Sequence, residues 1–255
     1  MITKEELKRI NLNSELHLYQ QEKEYFLKLF LYYYYVKFED AVFKGGTSIK
    51  FCYGLNRFSE DLDFNIDISP QEFEKQVKQT LKELRGIGIQ TKLAKQETFD
   101  HAFTCEIHFY GPLYDGSEQT RNKIRIDAEL RLKTLNEPTW KLVSSKYPEI
   151  NSPFLVKTMD EQEILAEKII ALHTRKKGRD LYDTWFLLQK GIEINEALLF
   201  KKRNGQKLNR SNCITKEDYE RDMTYLVKRV IPFKQIISDL THSLDSLTIF
   251  ESGVR

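Results

Sequence analysis

The sequence predicts an α+β protein in two parts: a mixed sheet with helices on one face in residues 1–150, and a helical bundle in residues 151–255. Three observations carry that reading. The stretches 61–68, 102–110 and 123–130 alternate apolar and polar residues with period two, as half-buried strands do. Between the first two, Phe73, Val77, Leu81 and Leu84 recur at helical spacing. From Met159 onward helical periodicity takes over.

In chain order, residues 3–40 read as helical, first around Leu7 and Ile10 and then as a long aromatic-rich segment from about Glu15. The tyrosine row Tyr32 to Tyr35 reads as core rather than as a base-stacking platform. Lys44-Gly45-Gly46-Thr47 makes a glycine-rich turn, followed by a short amphipathic helix to about Tyr53 and a strand from about Asp61 to Ile68. The helix after Pro70 ends at Gly86 and Gly88. Strands follow near 89–94, 102–110 and 123–130, and the turn-rich stretch 134–153 reads as a link between the halves. The second half predicts helices at 162–174, 179–190, 194–200, 216–230 and 233–244. Between them Lys201 to Arg210 carries five basic residues and no acidic one, a solvated loop.

Composition narrows the function classes. Forty Lys and Arg against 38 Asp and Glu give a formal charge of +2, which excludes a uniformly basic nucleic-acid coat. Forty per cent hydrophobic residues exclude disorder throughout. The first residues lack the pattern of a secretory signal, and the most apolar run, Leu29 to Val36, is too short to cross a bilayer. Cys52, Cys105 and Cys213 are widely separated with no C-x-x-C pair, so they read as ordinary buried thiols. Together these features predict a cytoplasmic protein without a membrane partner.

The chemistry concentrates in the strand at 61–68. Asp61, Asp63, Asn65 and Asp67 point one way while Leu62, Phe64, Ile66 and Ile68 point the other. Aspartates at spacing two repel one another unless a cation sits among them. Spacing alone leaves open a metal site or an accidental run of acids. The strand at 123–130 repeats the pattern, with Lys123, Arg125, Asp127 and Glu129 alternating with Ile124, Ile126, Ala128 and Leu130. Asp127 can then share a face with Asp61 and Asp63, and Glu129 is the competing choice, with a salt bridge to Arg125 or Arg131 as its structural reading. Three carboxylates from neighbouring strands suit Mg²⁺ or Mn²⁺ and leave coordination positions for phosphates. Upstream, the Gly45-Gly46-Thr47 turn can offer backbone N–H groups and a helix N-terminus to a phosphate.

The run KGGTSIKFCYGLNRFSEDLDF, residues 44–64, resembles the signature of the AbiEii-type toxin nucleotidyltransferases, whose fold is DNA polymerase β-like. A second run, ILAEKIIALHTRKKGRDLYDTWFLL at 164–188, is similar to that family's helical motif. The resemblance implies that Asp61 and Asp63 are metal ligands, that Asp127 is the third carboxylate, and that Lys44, Gly45, Gly46 and Thr47 hold phosphate. It implies polar contacts from Arg57 and Ser59, with Phe58 in the core. It places Lys168 on nucleotide phosphate and Arg175, Arg179 and Asp180 around a cleft that the helical bundle completes. Physics singles out Lys168 independently, because Ile164 and Leu172 set its stem in an apolar stripe. The bland reading of 175–183 is a solvated basic turn, with Asp180 as a helix cap or salt-bridge partner.

The resemblance thus implies a metal-dependent enzyme that moves a nucleoside monophosphate from an NTP to an acceptor hydroxyl. RNA, with the transfer-RNA 3′ end as one acceptor, is the implied substrate, and an antitoxin is a candidate partner. The rival readings are a non-catalytic RNA- or protein-binding module on the same fold, and transfer to a protein or small-molecule hydroxyl. No G-x-S-x-G elbow or Cys–His pairing supports nucleophilic hydrolysis. His101 and His108, seven apart on one strand, point to opposite faces and make no metal pair.

Overall fold

Strand pairing turns the alternating stretches into one mixed sheet. The computed structural model describes residues 1–130, 134–205 and 214–244. The chain divides into two units, one of Met1–Gly54, Phe58–Thr134 and Pro138–Met159, the other of Leu55–Arg57, Leu135–Glu137 and Asp160–Arg255. Residues 206–210 of the basic loop, Cys213 and Arg131 lie outside the described residues.

The first unit opens with helices α1 (Lys4–Ile10) and α2 (Leu18–Tyr35). Strand β1 (Ala41–Lys44) leads straight into α3 (Gly45–Tyr53), so the glycines predicted as a turn form the first residues of that helix. Then come β2 (Asp61–Ile66), α4 (Pro70–Gly86), β3 (Gln90–Thr98), β4 (Ala102–Tyr110), β5 (Asn122–Glu129), β6 (Thr139–Val143) and β7 (Phe154–Thr158). The sheet order is β3-β4-β5-β2-β1-β7-β6. β2 runs parallel to β5 and β1 parallel to β7, while the other neighbours are antiparallel.

Two helices cover one face of this sheet. α4 starts because Ser69 caps it, its hydroxyl accepting from the Glu72 N–H, and because Pro70 presets the backbone of the first turn. Its buried stripe of Phe73, Val77, Leu81 and Leu84 packs beside α2. Phe73 meets Phe64 and Phe103, Phe26 stacks on Phe109 at 4.1 Å, and Tyr34 lies against Phe64. Each of these fully buried rings is worth about 1.5–3 kcal/mol of apolar transfer, which fixes the register through the core face. Tyr34 is buried as the core reading predicts. Burial pushes the Cys52 and Cys105 thiols up to about 11 and about 12, so both are inert at neutral pH.

The stretch predicted as a link is in part sheet. β6 and β7 form a hairpin that the period-two test misses, because its alternating large residues face outward: Trp140, Leu142 and Leu155 are all exposed. β7 extends the sheet past residue 150.

In the second unit α5 (Glu161–Arg175), α6 (Gly178–Gln189), α7 (Glu196–Lys202), α8 (Lys216–Met223) and α9 (Phe233–Leu244) follow. Asp160 caps α5 through the N–H groups of Gln162 and Glu163. A Cβ at Gly178 would stand 2.9 Å from the Asp222 side chain and 3.1 Å from the Tyr219 backbone, so glycine sets how closely α6 meets α8. α8 stops seven residues short of the predicted end. Tyr219 and Met223 are buried, and no residue beyond them is buried until Ile236, so nothing anchors a longer helix.

Candidate active site

Register converts the two acidic strands into a grid. In the parallel β2–β5 pair, Asp61 lies beside Arg125 and Asp63 beside Asp127. The antiparallel pairs extend each rung, placing Glu106 beside Arg125, Thr104 beside Asp127, and Lys44 beside Asp63. One rung on the solvent face therefore reads Thr104, Asp127, Asp63, Lys44, and the neighbouring one reads Glu106, Arg125, Asp61. Strands lie about 4.8 Å apart, and alternate residues along a strand about 6.6 Å. Asp127, and not Glu129, is the β5 residue beside Asp63; Glu129 stands one rung further, beside Asn65.

Asp127 is held in place by protein groups. It accepts from the Thr104 hydroxyl at 2.7 Å and pairs with the Arg125 guanidinium at 2.8 Å. The charges of Asp127, Asp61 and Asp63, in that order of weight, raise the pKa of Arg125. Arg125 is therefore the cation that this arrangement places among the aspartates. Among the described residues no three His, Cys, Asp or Glu side chains are gathered in a metal-holding cluster. The strand pattern brings the three carboxylates to one face, while the Arg125 contact turns Asp127 toward the guanidinium.

The glycine turn is fitted to the second aspartate. Gly45 has φ +77°, a left-handed backbone, and a Cβ there would lie 2.2 Å from Asp63 Oδ2. Only glycine lets the start of α3 approach that carboxylate. Gly46 and Thr47 are buried in the first turn of the helix. The Thr47 hydroxyl contacts Ser59 Oγ at 2.8 Å and the Asp61 carbonyl at 2.5 Å, tying the helix start to the head of β2. Thr47, expected on phosphate, and Ser59, expected as a polar contact, thus engage each other, which leaves the N–H groups of the helix start as donors for an anion.

Asn65 departs from the sequence reading. Alternation puts it on the wet face, but it is 5% exposed, and among the described residues neither of its amide atoms has a hydrogen-bond partner. Nothing in its alternation with Asp61 and Asp63 distinguishes it from a solvated residue.

The second unit holds a buried charge quartet. Arg57 donates from Nε and Nη2 to the two oxygens of Asp183 at 2.6 and 2.7 Å. Lys168 Nζ lies 2.7 Å from Asp183 and 3.1 Å from Asp180. Burial acts most strongly on Asp183 and would raise its carboxyl, but Arg57 and Lys168 outweigh it and hold the group at about 2. Burial likewise disfavours the charge on Lys168, yet Asp183 and Asp180 leave its ammonium more firmly protonated than usual. Asp180 Oδ2 is buried and has no hydrogen-bond partner among the described residues. Arg57, Lys168 and Asp180, predicted around a nucleotide, thus engage one another through Asp183. Asp180 takes the salt-bridge role rather than the helix cap, which is Lys177. Arg175 ends α5 and Arg179 lies in the first turn of α6, both exposed and outside the quartet.

Sequence reasoning, which weighs Asp183 beside Asp180 and Arg175 as a site residue, missed Arg125 as the partner of Asp127 and the pairing of Asp183 with Arg57. The first left a signal, since Arg125 and Asp127 share a strand face at spacing two. The second left none, because Arg57 and Asp183 are 126 residues apart.

Comparison with known proteins gives a consistent answer. Residues 30–245 match a family model described as the nucleotidyl transferase AbiEii toxin of a Type IV TA system. MenT4, a nucleotidyltransferase toxin of Mycobacterium tuberculosis H37Rv, superposes with a TM-score of 0.68 at 18% identity, covering 99% of this chain and 91% of its own. JHP933 of Helicobacter pylori superposes with a TM-score of 0.60, also at 18% identity, covering 91% of this chain and 92% of its own. No curated protein sequence matches. At these identities the structures speak for the fold, the α+β architecture predicted above.

Proposed function

The chain belongs to the AbiEii nucleotidyl transferase toxin family, and from that premise we propose that it transfers a nucleoside monophosphate from an NTP to a hydroxyl of an RNA acceptor. The observation that carries the proposal is the rung on which Asp63 stands beside Asp127, with Asp61 on the same face and the start of α3 pressed against Asp63 through Gly45.

The donor set suits a hard divalent cation, being all carboxylate oxygen with no sulfur or imidazole. Asp61, Asp63 and Asp127 would hold Mg²⁺ or Mn²⁺ once Asp127 turns from Arg125, and the left-handed Gly45 keeps clear the space beside Asp63 that a Cβ would fill. Bound there, such ions neutralise phosphate charge and align the attacking and leaving oxygens. The N–H groups at the start of α3 receive triphosphate oxygens, and Lys44, beside Asp63 on the same rung, adds a positive charge. The acceptor oxygen bonds to the α-phosphorus, the bond from that phosphorus to the bridging oxygen breaks, and pyrophosphate leaves. Asp127 draws the acceptor proton. Arg125, displaced from Asp127, remains beside Asp61 as a fixed cation.

In the second unit, Lys168 and Asp180 act as positioning residues: the quartet fixes α5 against α6 and Arg57. An antitoxin is the partner that this family role calls for. Among the described residues no helix is long and apolar enough to cross a membrane.

The test is to incubate the protein with each α-labelled NTP, Mg²⁺ or Mn²⁺, and total RNA or lysate, beside an Asp61→Ala, Asp63→Ala variant. Label on RNA from the wild type alone supports the reading. Equal labelling by both proteins sinks the carboxylate assignment, and label on protein or on a small molecule replaces RNA as acceptor.

A further inference from the structure

The solvent face of the sheet continues past the carboxylates. One rung beyond Arg125, the register sets Lys92, His108 and Lys123 side by side across β3, β4 and β5. One rung further stand Gln90 and Tyr110, and the Tyr110 ring meets Tyr114 edge-on at 4.7 Å. Each step is about 6.6 Å, so carboxylates, Arg125, a lysine pair and an aromatic pair follow in order along one face.

This face is open. The side chains of Lys123 and Arg125 are 52% and 59% exposed, and Lys92, Lys95 and Tyr114 are exposed as well. The acid that reaches from the Arg125 rung toward the Lys92–Lys123 rung is Glu106, held near pKa 2 chiefly by His108 and then by Lys123 and Lys95. Lys92, Lys95, Lys123 and Arg125 stand against Glu106 and, on the carboxylate rung, Glu97 and Asp127, so the positive charge gathers at the Lys92–Lys123 end of the ledge. Lys123 and Lys95 share the single carboxylate of Glu106, whereas exposed Lys75 and Lys78 on α4 each have an acid of their own, Glu72 and Glu74.

We propose that this ledge is the track for the acceptor strand: a single-stranded RNA whose 3′ hydroxyl lies at Asp127 and Asp63 runs its preceding phosphates over Arg125, Lys123 and Lys92, and stacks a base on Tyr110 and Tyr114. The inference rests on the RNA reading above and adds where the acceptor lies. Charge complementarity selects a polyanion, since lysines bind phosphate as point charges without geometric demand. The aromatic pair selects unpaired bases, because a duplex keeps its base faces stacked internally.

The experiment measures the binding of a fluorescein-labelled oligouridylate by anisotropy across a salt series, with NTP labelling of total RNA in parallel. Three variants are compared with wild type: Lys92→Gln with Lys123→Gln, Tyr114→Ala, and a control of Lys75→Gln with Lys78→Gln. Removing two phosphate contacts lowers the slope of log affinity against log salt by about 1.4, from about 0.7 per contact on single strands. Tyr114→Ala weakens binding at least about fivefold at unchanged slope. The control matches wild type. An unchanged slope in the ledge variant, with RNA still labelled by wild type, overturns the track and leaves the enzymatic reading standing. Wild type that neither binds the oligouridylate nor labels RNA removes the RNA reading and the track with it.

Discussion

Replacing Gly45 with alanine tests whether the start of α3 is fitted to Asp63. Two costs follow from the geometry. An L-residue at φ +77° pays roughly 1–2 kcal/mol for the left-handed backbone. The new Cβ would also lie 2.2 Å from Asp63 Oδ2 and 3.0 Å from Cγ, so the carboxylate must rotate by more than an ångström. Driving that side chain off its rotamer adds about 0.5–1.5 kcal/mol. The total of about 2–3 kcal/mol lowers Tm by roughly 4–12 °C in a chain of this size. Activity falls further than stability, by about a hundredfold, because the displaced atom belongs to the proposed catalytic rung. In an Asp63→Ala background the nearest remaining contact is the Cβ at 3.2 Å, so the same glycine change costs only the backbone strain. Calorimetric melting of the four proteins of this cycle, with label transfer on total RNA, gives the answer. Additive costs across the cycle, or a Gly45→Ala enzyme within about tenfold of wild type, would refute the fit between glycine and carboxylate.

Asp183→Asn strips the quartet of the carboxylate that Arg57 and Lys168 share; a loss of about 3–5 kcal/mol in urea unfolding is expected, and a loss under about 1 kcal/mol would mean that the pair is not buried as described. The same residue predicts an acid limb. Its carboxyl is depressed from the ordinary 3.8 to about 2, so its stabilisation is complete above the ordinary value and is lost as pH falls toward 2. That amounts to about 2–3 kcal/mol between pH 5 and 2, and the Asp183→Asn protein should show a correspondingly flatter limb. Arg125→Ala releases Asp127 from its guanidinium and should tighten Mn²⁺ binding by up to about fivefold in titration calorimetry, the worth of an exposed ion pair of about 1 kcal/mol. Weaker Mn²⁺ binding would show that Arg125 orders the site instead of competing for it.

The elements with one buried and one wet face were legible in the sequence. β2, β4 and β5, the α4 stripe and α9 lie where the periodicity puts them, because burial on one side imposes its period on the residues themselves. The hairpin β6–β7 was not legible, since exposed Trp140, Leu142 and Leu155 give its outer face an apolar pattern that mimics no half-buried strand. Likewise the helix from 216 was overextended, because propensity continues where packing stops at Met223. At the site, alternation was enough to put Asp61, Asp63 and Asp127 on a common face. Which residues stand side by side is a matter of register across 64 residues of sequence, and Arg125 beside Asp61 comes from that register. Asn65 marks the limit of the method: a strand pattern gives the side on which a residue lies, not what covers it.

The direction in which β2 and β5 pair decides the electrostatics of the rung. Suppose that Asp63 and Asp127 stayed side by side but the strands ran antiparallel. Asp61 would then face Glu129, and Asn65 would face Arg125. Three carboxylates would crowd neighbouring rungs around Asp63, and Arg125 would stand across from Asn65 instead of Asp61. Parallel pairing instead sets Arg125 against Asp61 and moves Glu129 away to Asn65. Like charges then meet at a single rung, Asp63 with Asp127, and this rung is flanked by Lys44 on β1 and by the Thr104 hydroxyl on β4. The chain tolerates that adjacent pair because each carboxylate has a basic neighbour, Lys44 across from Asp63 and Arg125 two residues before Asp127. On the function proposed above, the same two bases stand where incoming phosphates would meet positive charge, so that folding and substrate attraction would draw on the same residues.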